Sequence, residues 1–180
     1  MARRRNQSPV ECPFTILVDG REKQPYTFGG LTADANKRNR PLQISTQWHS
    51  LKTGDYSIGG MEDFVTVERK SLPDLYNTLG QHRDRFEREH ERMAEMKRAM
   101  VVVEASWEMV LYPERWYDNW RSKLNPKTVM RTAVSWFSKY GVPWLACEDR
   151  RFAEIYTFRF LEKFYDQYEL SEVGGEDEID

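Results

Sequence analysis

The chain has 180 residues and a net charge of −2 at pH 7, a length that predicts one domain able to bury its own core. No apolar run approaches the ~20 residues that a membrane helix needs, which excludes a membrane-spanning protein. The two cysteines, Cys12 and Cys147, form neither a disulfide framework nor a metal-binding spacing. We therefore expect a protein of the reducing cell interior, located in the cytoplasm or nucleoid.

The charge is unevenly distributed along the chain. Residues 171–180 carry five acids and no Lys or Arg, so the chain without them has a net charge of +3. Acidic tails of this kind are usually disordered. The predicted organisation is a basic flexible arm over residues 1–12, a folded domain over 13–169 and an acidic disordered tail over 170–180. A mildly basic folded part permits phosphate binding without requiring it.

The first half of the chain is rich in predicted strands. Alternating and apolar runs place them, in order, at residues 14–18, 42–48, 55–58 and 64–68. The Gly59-Gly60 pair is a turn signal that joins the last two strands into a hairpin. Ser71 can cap a short helix beginning at Leu72, and a longer, highly charged helix covers residues 82–97.

The second half alternates strands with helices. An apolar run at residues 100–104 predicts a buried strand, and a helix over 125–139, a strand over 142–146 and a helix over 151–168 follow it. The early strands look antiparallel, whereas the later β-α-β pattern supplies the helices. We therefore predict an α/β fold with a mixed central sheet flanked by helices on both faces.

Acidic and basic residues gather at the ends of the predicted strands. Asp19 ends the first strand, Asp55 begins one strand of the hairpin, and Glu68 ends its partner. Because residues at i and i+2 of a strand project to the same side, Glu68 and Lys70 are expected to point at one site. A tight hairpin also brings Asp55 beside the strand that carries Glu68.

Such a cluster has a chemical use. Two carboxylates about 4 Å apart repel by roughly 4 kcal/mol at an effective dielectric near 20, so a proton or a cation must neutralise them. Mg²⁺ prefers oxygen ligands, activates water and stabilises charge on a phosphate, and a nearby lysine can orient or deprotonate that water. Taken alone, however, the Glu-x-Lys spacing also fits a solvated, salt-bridged strand face, and Gly54-Asp55 also fits a simple turn.

Three sequence blocks occur in a recognisable order: Val18-Asp19-Gly20-Arg21-Glu22, Thr53-Gly54-Asp55-Tyr56, and Val67-Glu68-Arg69-Lys70-Ser71-Leu72-Pro73-Asp74. Together they resemble the XPF-type nuclease family, whose signature is Asp-x-Arg-Glu, then Gly-Asp, then Glu-Arg-Lys-x-x-x-Asp. The resemblance extends over about residues 14–168. It implies a restriction-endonuclease-like fold and cleavage of DNA that depends on Mg²⁺ or Mn²⁺.

The resemblance assigns roles to individual positions. Asp55 and Glu68 are expected to be metal ligands, Asp19 a further acid of the metal site, and Lys70 the catalytic lysine. Arg69 is expected to belong to the catalytic group as well. The residues expected to bind substrate are Arg21, Lys23 and Arg83. The acids expected to support the site are Glu22 and Asp74.

The chain also departs from the family pattern. Members that act on forks and flaps usually carry a tandem helix-hairpin-helix module, and none fits the sequence here. We therefore expect a stand-alone member of bacterial or phage type, with a role in DNA repair or recombination. Cleavage at branched, nicked or single-strand/duplex junctions remains open, and a protein partner or a dimer is expected to supply selectivity.

Two further features have alternative interpretations. The basic and aromatic residues of segment 115–123 favour packing on the sheet over stacking on unpaired bases, although both fit. The helix at 151–168 is apolar nearly all round, so it is covered either by a second copy in a homodimer or by segment 106–124.

Two rival functions remain. The first is a non-catalytic DNA-binding or scaffolding partner of another nuclease, and the intact acids and lysine argue against it. The second is a nuclease that cleaves RNA.

Overall fold

The computed structural model describes residues 8–33 and 40–173. Most of the predicted basic arm and acidic tail, at residues 1–7 and 174–180, lies outside this range. The first strand begins at Val10, inside the predicted arm, and the last helix continues to Val173, inside the predicted tail. Across the described residues, no helix is both long and apolar enough to cross a membrane.

The regular elements follow the predicted order. They are β1 (Val10–Asp19), β2 (Leu42–His49), β3 (Tyr56–Ile58), β4 (Val65–Lys70), α1 (Leu72–Gln81), α2 (Arg83–Ala94), β5 (Arg98–Val103), α3 (Trp107–Leu111), a 3-10 turn (Pro113–Arg115), α4 (Pro126–Tyr140), β6 (Trp144–Ala146) and α5 (Arg150–Val173).

The strands form one mixed sheet in the order β2-β1-β3-β4-β5-β6, which confirms the predicted fold class. β3 runs antiparallel to β1 and β4, whereas β4, β5 and β6 are mutually parallel. β1 and β2 are also parallel, so the antiparallel prediction is wrong for this pair. The connection over residues 20–41 is long enough for a crossover, and strand alternation does not encode pairing direction.

Helices cover both faces of this sheet, and β5 shows how. Met100 and Val102 pack into a core beneath α5, whereas Val101 and Val103 pack into a second core beneath α1, α2, α3 and α4. Because successive strand residues point to opposite faces, one apolar strand supplies side chains to both layers.

The same alternation positions the functional residues of β4. Glu68 pairs in register with Val101, and Lys70 pairs with Val103. Both therefore project toward the face covered by α1 and α2, while Arg69 projects toward the face covered by α5.

Segment 106–124 packs with the α1–α4 core. Ser106 caps α3 by accepting a hydrogen bond from the Met109 amide. Trp120 stands edge-on to Tyr76 of α1, with ring centroids 4.7 Å apart. This segment therefore belongs to the face of the sheet opposite α5, and the interpretation that it covers α5 is wrong.

His90 of α2 is a buried core residue. Its ring centroid lies 4.6 Å from those of Phe86 and Trp136. Its Nε2 accepts a hydrogen bond from Trp144 Nε1 at 2.8 Å, so its Nδ1–H is left to donate to the Phe86 carbonyl at 3.0 Å. Burial lowers the pKa of His90 to about 4, which keeps the ring neutral.

This burial predicts a pH-dependent stability. The unfolded chain binds the His90 proton with a pKa near 6.5, so the stabilisation is complete above that pH and is lost as the pH falls toward 4. We expect this residue to account for a loss of roughly 2–3 kcal/mol in unfolding free energy between pH 7 and pH 4.5, measured by urea denaturation. In His90→Gln, whose amide oxygen can still accept from Trp144, the pH slope should flatten.

The control is His49→Gln, at an exposed position on β2. It should keep the wild-type pH dependence. Equal slopes for wild type and His90→Gln would contradict the prediction.

Candidate active site

A cleft lies where β4 meets α1 and α2, with a volume of about 250 Å³. We call it the acidic cleft. Its wall consists of Arg21, Gly54, Asp55, Glu68, Lys70, Asp74, Asn77, Thr78, His82, Arg85, Phe86 and Glu89.

Glu68 and Lys70 form the floor of the acidic cleft. Both are buried, and Lys70 Nζ donates to Glu68 Oε1 at 2.5 Å. Lys70 Nζ also lies 3.5 Å from Asp74 Oδ2 and 4.8 Å from the centroid of the Phe86 ring. The structure therefore brings together the two residues that the i, i+2 spacing predicted would share a site.

The hairpin brings Asp55 to the same wall. Its amide donates to the Val67 carbonyl, and its Oδ2 accepts from the Arg69 amide at 2.8 Å. The backbone of β4 thus fixes the position of the Asp55 carboxylate beside the strand that carries Glu68.

The electrostatics of this group are dominated by burial. Burial raises the pKa of Glu68, and the charge of Asp55 raises it further against the opposing effect of Lys70. Burial also raises the pKa of Asp55, again opposed by Lys70. For Lys70, burial lowers the pKa, but Glu68, Asp74 and Asp55 outweigh it and the net shift is upward. A single ammonium therefore serves several carboxylates, which leaves negative charge for a proton or a cation to neutralise.

Gly54 explains the tight approach of the hairpin. Its φ is +77°, and a Cβ there would lie 1.9 Å from Thr66 Oγ1. The Thr66 hydroxyl is held in place by donating to the Thr53 carbonyl at 3.0 Å. The Gly-Asp pair is therefore more than a turn, because only glycine lets the chain cross β4 at this distance.

Helix α2 and its N-cap residue His82 contribute cleft side chains that the sequence motifs do not mark. His82, Arg85 and Glu89 all line the acidic cleft, and Glu89 Oε1 accepts from the Gly54 amide at 3.4 Å. Their i, i+3, i+7 spacing marks one face of a helix. The sequence does not show which face of α2 packs toward β4, so it could not assign these side chains to the site.

Asp19 lies outside the lining of the acidic cleft, although its partner Arg21 is part of that lining. Its Oδ1 accepts from Nε of Arg21 at 2.6 Å, and its Oδ2 accepts from the Leu51 amide at 2.9 Å. Burial raises the pKa of Asp19, but these donors outweigh it, so the net shift is downward. The expected third metal-binding acid is thus engaged in holding two loops and does not line the cleft.

Arg69 and Glu22 also lie elsewhere than on the cleft wall. Arg69 donates two guanidinium hydrogen bonds to Glu104, each 2.8 Å long, and its Nη1 lies 3.3 Å from Glu22 Oε1. Arg150 of α5 donates to the same Glu104 at 2.7 Å. This network ties β4 to α5, on the face of the sheet opposite the acidic cleft.

The other expected residues are divided. Asp74 lines the acidic cleft, whereas Arg83 donates to Thr132 Oγ1 at 2.8 Å and covers the ring of Trp136. Lys23 is exposed and lies outside the cleft wall. Arg85, rather than Arg83, is therefore the α2 arginine that faces the acidic residues.

Comparison with known proteins gives one family match. A model of the ERCC4 domain matches residues 18–160 of this chain. No curated protein matches this chain.

Solved structures share the fold. XPF from Aeropyrum pernix superposes with a TM-score of 0.56 at 18% identity, covering 82% of this chain and 59% of that one. XPF from Aeropyrum pernix in complex with DNA gives a TM-score of 0.53 at 17% identity, covering 86% and 66%. This chain therefore spans about three fifths to two thirds of the length of those chains.

The position of Gly54 yields a stability prediction. Gly54→Ala should lower the unfolding free energy by roughly 2–4 kcal/mol, because a new Cβ collides with Thr66 and a non-glycine residue is strained at positive φ. Denaturant unfolding measures the effect. Gly60→Ala is the matched control, since Gly60 has φ +81° but open space around its Cβ position. Equal losses in the two variants would contradict the role of the Thr66 contact.

Proposed function

Because this chain belongs to the ERCC4-domain family, we propose that it is a divalent-metal-dependent endonuclease that hydrolyses DNA phosphodiester bonds. The observation that carries the proposal is the grouping of Asp55, Glu68 and Lys70 in the acidic cleft. Neighbouring buried carboxylates repel each other, and one ammonium does not neutralise all of them, so a bound cation would stabilise the group.

The donor set of the cleft fits Mg²⁺ or Mn²⁺. Within the described part of the chain, no three His, Cys, Asp or Glu side chains converge as a complete metal cage. Mg²⁺ does not need one, since it commonly binds through one or two carboxylates and completes its shell with water and substrate phosphate. We propose Asp55 and Glu68 as the two protein ligands. When bound, the ion would lower the pKa of a water and stabilise charge on the phosphate.

We propose that the basic groups of the cleft bind and orient the substrate. Lys70 presents an ammonium beside Glu68, and we propose that it orients the attacking water or a phosphate oxygen. Arg85 lies on the same wall and provides a cation for the phosphate backbone. Arg21 lies at the cleft as well, and its contact with Asp19 holds it there. We therefore propose Asp19 as a positioning residue for Arg21.

The proposal extends to substrate and setting. The DNA that one of the similar Aeropyrum pernix structures contains supports DNA as the substrate over RNA. Branched, nicked or single-strand/duplex junctions are the proposed targets, with a role in repair or recombination inside the cell. A protein partner that adds selectivity is compatible with this role.

Loss of the acid or the lysine tests the enzyme directly. Glu68→Gln and Lys70→Met should each lower DNA cleavage at least about 100-fold with Mg²⁺ or Mn²⁺, because the first removes a proposed metal ligand and the second the cation proposed to orient the water or the phosphate. The assay compares duplex, single-stranded, nicked and forked DNA with RNA of the same sequence.

The matched control is Asp63→Asn, an exposed carboxylate on the loop of the same hairpin, paired only with exposed Lys52 among its described contacts. It should cleave like the wild type. Binding without cleavage of any DNA would favour the scaffolding alternative, and cleavage of RNA alone would favour the ribonuclease.

A homodimer through α5 is also proposed. Phe158, Leu161 and Phe164 face the core, but Phe152 and Tyr156 on the same helix are 47% and 46% exposed. Phe137 of α4 is 54% exposed, and with Phe160 it lines one shallow cavity of about 360 Å³. Exposed aromatic side chains grouped in this way mark surfaces that associate.

Sedimentation velocity at tens of micromolar tests the dimer. We expect a dimer for the wild type and a monomer for Phe152→Glu/Tyr156→Glu, because burying two new charges opposes association. Tyr112→Glu, an exposed aromatic position away from α5, should remain dimeric. A wild type that sediments only as a monomer would overturn the proposal.

A further inference from the structure

A second and larger depression lies beside the acidic cleft. It has a volume of about 1010 Å³ and runs between α1 and residues 116–124. We call it the aromatic groove. Asn77 of α1 lines both the aromatic groove and the acidic cleft, so the two are adjacent. A strand bound in the groove would therefore lie next to the proposed catalytic cleft.

The aromatic groove presents ring surfaces that the core does not use. Trp116 is 54% exposed and Tyr117 is 37% exposed, although both line the groove. Trp120 behaves differently, since it packs on Tyr76 and lies 5.5 Å from Tyr117. Trp120 thus anchors the segment to the core, and Trp116 and Tyr117 remain accessible for stacking.

The charges of the aromatic groove suit a polyanion. Arg121 and Lys123 line it and are exposed, and neither has an ion pair among the described residues. Asp118 is the acid in the same lining, so the cations outnumber it. Arg115, by contrast, is paired with Glu108 and lies outside the groove lining. Accessible rings with neighbouring cations are the combination that binds single-stranded nucleic acid.

The volume argues for bases rather than a duplex. The acidic cleft, at about 250 Å³, is small, whereas the aromatic groove, at about 1010 Å³, matches the upper range of pockets that hold organic ligands. A rigid duplex presents its phosphates outward and keeps its base faces stacked inside. Only unpaired bases can offer their flat faces to Trp116 and Tyr117.

We propose that the aromatic groove is a binding site for unpaired DNA bases next to the phosphate that is cut. Trp116 and Tyr117 stack on the bases, and Arg121 and Lys123 contact the backbone. The proposal rests on the proposed function for its choice of DNA, but it assigns a separate site that binds without the metal.

Binding without cleavage separates the two proposals. The probes are a fluorescein-labelled 12-nucleotide thymidine strand, the same strand with abasic sites, its duplex and the matching uridine RNA, all in EDTA. We expect the single strand to bind more tightly than the duplex and the abasic strand. Trp116→Ala should weaken single-strand binding on the order of tenfold, because stacking depends on the ring. It should leave abasic binding nearly unchanged.

The charge contribution is measured through salt. Lys123→Gln should weaken binding to the base-bearing and abasic strands alike, and should reduce the salt dependence by about one phosphate contact. Trp107→Ala is the matched control, since Trp107 is an exposed tryptophan outside the groove lining. It should bind like the wild type.

Several results would overturn this proposal. They are equal affinity of Trp116→Ala and wild type, equal binding of base-bearing and abasic strands, or preference for duplex or RNA. Full cleavage activity together with an inert groove would reject this site and leave the nuclease intact. Base-dependent binding in a protein that cleaves nothing would support the groove and reject the enzyme.

Discussion

The contact between the Lys70 ammonium and the Glu68 carboxylate is the interaction on which the rest of the site depends. Lys70 compensates Glu68 directly, and Asp55 and Asp74 raise its pKa as well. In a buried setting, removing one partner of such a pair leaves an uncompensated charge at a cost of about 3–5 kcal/mol. The arrangement is therefore stable as a set, while its excess of carboxylates leaves a place for a cation.

Because side chains alternate along β4, its charged residues project from opposite faces of the sheet. Glu68 and Lys70 face the acidic cleft, and Arg69 between them faces Glu104 on the other side of the sheet. A shift of one residue in the register of β4 would exchange the two sets of side chains. The core beneath α5 opposes that shift, because it takes the side chains of Val65 and Val67, and Thr66 and Glu68 would replace them there. Packing of the sheet thus determines which charges face the acidic cleft.

Helix α1 links the two depressions of this face. Its residue Asp74 lines the acidic cleft, and its residue Tyr76 packs against Trp120 of the aromatic groove. Asn77 contributes to both. Ser71 caps this helix directly after Lys70, so the strand that carries Glu68 and Lys70 passes into α1 without a loop. Chemistry and base binding are therefore proposed on one rigid strand-helix unit.

Local periodicity was enough to predict the strands, the mixed sheet and the shared direction of Glu68 and Lys70, because a strand alternates with a period of two wherever it lies. The tertiary structure decided what depends on contacts distant in sequence. It directs Asp19 toward Leu51, and it turns the face of α2 with Glu89 toward the acidic cleft. Neither follows from spacing, since the orientation of a helix or a loop carboxylate is set by the partners it meets only after the chain has folded.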